Sequence, residues 1–88
     1  MTETPLFLPP GKKVNSKMEI KDTEALGKLI RQHRKSMGLT QLDAAGLCGV
    51  GERFLSELER GKPTASLGKT VQVLKRLGLK ILVQSTLE

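Results

Sequence analysis

LTQLDAAGLCGVGERFLSELERGK, residues 39–62, is the stretch that decides the fold of this chain. Thr40 offers a hydroxyl to cap a short helix QLDAAGLC, and Gly49 supplies the residue at which such a helix stops. Glu52 to Arg60 reads as the next helix, with Leu55 and Leu58 inward and Gly61 as its stop. Two short helices meeting at a tight angle need a small residue where their backbones approach. They also need a glycine at the turn and apolar residues that lock the second helix down. Counting from Gln41, Ala45 is four residues on, Gly49 eight, and Val50, Leu55 and Leu58 nine, fourteen and seventeen, so each requirement is met in turn.

Working outward, Leu26, Leu29, Ile30, His33 and Met37 fall at spacings of 3, 1, 3 and 4, the stripe of an amphipathic helix. Asp22 or Thr23 caps it, Lys28, Arg31, Arg34 and Lys35 lie largely off the stripe, and Gly38 ends it. Downstream, Pro63 blocks continuation, Ser66 caps a fourth helix with Leu67, Val71, Leu74 and Leu77 as its apolar face, and Gly78 closes it. Residues 79–84, LKILVQ, place Leu79, Ile81 and Val83 on one side and Lys80, Leu82 and Gln84 on the other, which is strand periodicity. A lone strand leaves its backbone unpaired, so the expected partner is a second copy of the same strand, with Leu79, Ile81, Leu82 and Val83 at the dimer contact. The N-terminal segments Leu6–Leu8 and Met18–Ile20 are the other candidates. The chain divides into a basic, proline-rich arm (1–21) expected to be flexible, a helical domain (22–78) and the strand-like tail (79–88).

Composition excludes several classes. One Cys and one His among 88 residues build neither a zinc finger nor a disulfide framework, so no metal or cofactor is expected, and the lone thiol fits a reducing compartment. With no long apolar run and no signal-peptide pattern, the expected location is the cytoplasm, at the nucleoid. The net charge of +6 favours a polyanionic partner. It is unevenly spread: +4 over residues 1–39, −2 over 40–61 and +4 over 62–88. The centre is acidic between basic flanks.

The stretch 39–62 resembles the helix-turn-helix of Xre/Cro/cI-type transcriptional regulators, over about residues 24–79. Within that family, GVGERFLSELERGKPTASLGKTVQVLKRLGL (49–79) with a strand-like tail is similar to HipB-type antitoxins. The resemblance implies an all-α, lambda-repressor-like bundle of four to five helices whose C-terminal strand pairs across a homodimer. It implies a repressor of a palindromic operator that also binds a HipA-like kinase toxin. A stand-alone phage-type or restriction-modification controller regulator is the alternative.

In such motifs the second helix of the pair lies in the major groove and the first crosses the backbone. The exposed side of the reader helix then presents Gly51, Glu52, Arg53, Ser56 and Glu57. Arg53 is the first candidate for specificity, because a guanidinium makes two hydrogen bonds to guanine O6 and N7. Glu52 either accepts from a cytosine amino group or only favours the helix dipole. Gly51 stands where the family commonly has Ser or Thr, and Phe54 where a small polar residue is commoner, so Phe54 is expected to pack on the core edge. Gln41 with the first amides of its helix suits a phosphate. Lys62, Thr64 and Ser66 match a second backbone-contacting segment, and Arg34 or Lys35 adds a third. Glu59 is expected to pair within the domain. Gly68 to Thr70 resembles the end of a phosphate-binding loop, but Pro63 occupies the place of its first glycine. His33 reads as a packed histidine and Cys48 as a small filler, and nothing supports an enzyme.

Overall fold

A computed structural model describes residues 17–87. Among them four helices follow in order: α1 (Thr23–Ser36), α2 (Gln41–Cys48), α3 (Glu52–Glu59) and α4 (Leu67–Arg76). Their boundaries follow local chemistry. Asp22 Oδ1 accepts from the Ala25 amide at 2.8 Å, Thr40 Oγ1 from Asp43 at 3.0 Å and Ser66 Oγ from Lys69 at 3.3 Å, each satisfying an orphan donor of a first turn. Each helix ends on a glycine at positive φ: Gly38, Gly49, Gly61 and Gly78. At the α2–α3 turn the Val50 amide donates to Ala45 O at 3.0 Å and Gly49 to Gly46 O at 3.3 Å. These two bonds close the last carbonyls of α2 and turn the chain into α3 at once.

The core joins all four helices through Ile30, Leu55, Val73 and Cys48, which are fully buried, with Ala44, Ala45, Leu58, Leu74 and Leu77 around them. α1 and α2 both pack on α3, and α4 packs on α2. A Cβ on Gly27 would stand 2.5 Å from Glu59 O and 2.6 Å from Leu58 O, so the absence of a side chain there lets α1 cross the end of α3. Polar ties finish the joints. Gln72 Nε2 donates to Cys48 O at 2.6 Å and Arg76 Nη1 to Leu47 O at 3.2 Å, so α4 supplies donors to the carbonyl end of α2. His33 Nε2 donates to Leu77 O at 2.7 Å, the packed role expected of it. Burial pushes the Cys48 thiol up, with Arg76 opposing, so it remains protonated at neutral pH.

One expectation needs a second copy of the chain, and two others are corrected. Residues 79–84 form no ladder, and the described residues contain no strand, because this single chain offers the tail no partner. The candidate partner Met18–Ile20 is irregular and exposed, and Leu6–Leu8 lies outside the described residues. Leu67 is not on the buried face of α4: as its first residue it projects past the core and is 77% exposed. Met37 is also exposed, because it lies beyond the last turn of α1, and the inward face of that helix runs through Gly27, Ile30 and Arg34 instead. No helix among the described residues is long and apolar enough to cross a membrane, and no group of three or more His, Cys, Asp or Glu gathers there as a metal set.

Candidate nucleic-acid interface

The face of α3 follows from what its other face must bury. Leu55, Leu58 and Glu59 turn inward and Phe54 packs at the core edge, with Lys69 Nζ 5.5 Å from its ring centroid. That leaves Gly51, Glu52 and Arg53 exposed and Ser56 and Glu57 half-buried, the set expected to face a groove. The Arg53 side chain is 91% exposed, and its Nε lies 3.4 Å from Glu57 Oε2 one turn further on. Glu57 Oε1 accepts from Lys62 Nζ at 3.0 Å. These bonds, that from Lys62 foremost, hold the Glu57 carboxyl below the usual carboxylate range.

α3 begins without a side-chain cap, since Gly51 has nothing to offer its first amides. Its φ of −74° and ψ of 152° are open to any residue, and a Cβ there would meet nothing within 4 Å. Backbone conformation therefore does not demand glycine at Gly51, whereas close approach of an outside group would. Glu52 occupies the first turn, where a carboxylate favours the helix dipole.

A second cluster lies beneath this surface. Arg34 donates from Nε to Glu59 Oε2 at 2.6 Å, from Nη2 to Oε1 at 3.0 Å and from Nη1 to Leu39 O at 2.7 Å. At 6% exposure Arg34 cannot reach a phosphate, and this overturns its place among the surface contacts. The reason is its register: spacings of 3 and 4 from Gly27 through Ile30 put it on the inward face, where Glu59 compensates the charge. The hydrogen bond from Arg34 to Glu59 raises the guanidinium pKa further against its desolvation. Gln41 Nε2 also donates to Glu59 Oε1 at 3.0 Å, so its amide nitrogen links the start of α2 to the end of α3. Thr64 and Lys35 are exposed, and Ser66 is exposed while its hydroxyl caps α4.

Sequence reading thus found the outward residues of α3 and anticipated that Glu59 pairs inside the domain. It missed the partner, Arg34, and the roles of Gly27, Gln72 and Arg76. Only the 27, 30, 34 spacing carried a signal for any of these.

The model of a helix-turn-helix domain family matches residues 9–85. The HTH-type transcriptional regulator y4mF of Sinorhizobium fredii is 50% identical over 62 residues, which cover 70% of this chain and 82% of that protein. An HTH-type transcriptional regulator of Methanothermobacter thermautotrophicus is 40% identical over 50 residues, covering 57% and 72%. Among solved structures, a HipB variant in complex with an O2 20mer superposes with a TM-score of 0.73 at 21% identity, covering 81% of this chain and 99% of that one. A HipA–HipB–O2–O3 complex gives 0.72 at 21% identity, covering 80% and 99%. These structures share the fold.

Proposed function

The chain belongs to the helix-turn-helix transcriptional regulators, and from that membership we propose that it is a dimeric repressor that reads a palindromic operator and also neutralises a HipA-like kinase toxin. The observation that carries the DNA-reading part is the exposed face of α3, with Arg53 standing out from a hairpin packed on the core. Arg53 reads guanine, Glu52 and Ser56 lie beside it, and Gln41 with the first turn of α2, Lys62, Thr64, Ser66 and Lys35 hold the phosphate backbone. Base contacts then set sequence and phosphate contacts set register.

The test is selection of bound duplexes from a random library, followed by gel shifts on the selected duplex and on a scrambled one at matched salt. Arg53→Ala is expected to lower discrimination by about 1–3 kcal/mol, roughly fivefold to 150-fold, and to weaken binding to the scrambled duplex by no more than about one phosphate contact. Equal binding of both duplexes by the unaltered protein would sink the specific-reader role.

Dimerisation is supported by the tail. Ile81, Leu82 and Val83 are exposed, Val83 to 94%, and an open groove beside them is lined by Val71, Lys75, Leu79, Lys80 and Ile81. A second copy adding its own tail would satisfy those backbone groups and cover the apolar side chains. The toxin partner is supported by the sequence resemblance and by the shared fold with HipB, which has been solved in a complex with HipA. Native mass measurement tests both: two copies of this chain are expected by themselves, and a larger assembly after co-expression with a HipA-like kinase. A monomer would remove the dimer, and a dimer that never retains the kinase would leave a repressor without a toxin.

A further inference from the structure

A carboxylate in the middle of a surface that meets phosphates calls for a reason, and the contacts of Glu57 supply one. Its two oxygens engage two different cations: Lys62 Nζ at 3.0 Å and Arg53 Nε at 3.4 Å. One side chain therefore spans the arginine of the reader helix and the lysine just past its end. We propose that Glu57 is a positioning residue for sequence discrimination, which aims Arg53 at a base edge and withholds the charge of Lys62 from indiscriminate phosphate contact. The inference rests on the DNA-reading role of α3 argued above.

The physical case begins with Arg53. A side chain 91% exposed is not held by packing, and its free charge suits a phosphate as well as a base edge. Glu57 lies one helical turn away and takes the inner nitrogen, Nε. Among the described residues nothing takes the two outer nitrogens, which are the pair that matches guanine O6 and N7. An exposed pair of this length is worth at most about 1 kcal/mol, which biases the rotamers of Arg53 by up to about fivefold rather than fixing one. Holding the chain before DNA arrives also reduces the rotamer freedom lost on binding.

Lys62 completes the device. With Glu57 between them, Arg53 and Lys62 present one net positive charge rather than two. Non-specific binding depends on the number of phosphates neutralised, so this lowers affinity for every sequence equally, whereas the guanine contact is kept. The Glu57 carboxyl is held below the usual range by the same two cations, and so it stays ionised throughout the neutral range in which the two cations need it.

The test uses the full chain, a duplex obtained by selection and a scrambled duplex of the same composition. Glu57→Gln keeps the size of the side chain and removes its charge. It is expected to tighten binding to the scrambled duplex by about eightfold near 0.1 M salt and to steepen the log–log salt slope by about 0.9, the value for one added phosphate contact. The preference for the selected duplex falls severalfold. Lys62→Gln provides the second readout: it should flatten the slope by well under one contact in the parent and by about a full contact in the Glu57→Gln background. A merely structural role for Glu57 would leave both slopes alone. If the parent discriminates while Glu57→Gln leaves slope and preference unchanged, the proposal is overturned and the reader role stands. If the parent itself fails to discriminate, the reader role falls and takes the proposal with it.

Discussion

Replacing Glu59 with alanine is expected to cost about 3–5 kcal/mol of folding stability, the effect of leaving one partner of a buried ion pair behind. In the parent, Glu59 accepts three hydrogen bonds, from Arg34 Nε and Nη2 at 2.6 and 3.0 Å and from Gln41 Nε2 at 3.0 Å. Without it the guanidinium of Arg34 remains in the interior with only Leu39 O, at 2.7 Å, to accept a hydrogen bond from it. Small domains hold about 5–15 kcal/mol in total, so the variant should sit near its threshold, with a Tm lowered by more than about 12 °C. Thermal and urea unfolding followed by circular dichroism measure this.

The double variant Arg34→Met with Glu59→Leu separates two explanations. If the cost comes from a stranded charge, removing both charges restores most of the stability, because a buried pair is weakly favourable against apolar residues of similar size. If the double variant is as unstable as the single one, packing at this joint rather than charge carries the effect. A Glu59→Ala protein within about 1 kcal/mol of the parent would show that water reaches Arg34, contrary to its burial.

The second large effect is expected at Gly61, where alanine should cost about 2–5 kcal/mol from two independent sources. Its φ of +87° is a left-handed conformation that costs an L side chain about 1–2 kcal/mol. A Cβ there would also stand 2.7 Å from Glu24 Cα and 3.2 Å from Glu24 N, backbone atoms that cannot rotate away. Relief would shift α1 against α3, an overpacking cost of about 1–3 kcal/mol. That shift would strain the bond from Thr23 Oγ1 to Gly61 O, 2.8 Å long, which ties the start of α1 to this turn. Gly38→Ala is the matched control, since Gly38 has φ +75° and nothing within 4 Å of the same position. It should show only the conformational cost. Equal losses in the two variants would mean that α1 moves aside freely.

The elements differ in how far they could be read from sequence, and the differences follow from range. Asp22, Thr40 and Ser66 were legible as caps because a cap acts within its own first turn. The outward set on α3 was legible because fixing Leu55 and Leu58 inside fixes what faces out. Arg34 was placed on the surface by its charge, yet its register is inward, and only a partner 25 residues away makes burial tolerable. The alternation of the tail is that of a strand. Alternation gives the faces of a strand but no ladder, and within this chain residues 79–84 find none.

Local chemistry settles where each helix starts and stops, that α2 and α3 form a tight hairpin, and which side chains α3 turns outward. Each of these depends on bonds or spacings within about two helical turns. Packing across the core settles that Arg34 is a buried strut rather than a phosphate contact and that Gly27 is a crossing point. Those outcomes require one residue to meet another across helices or turns, and neither periodicity nor composition states which residues will meet.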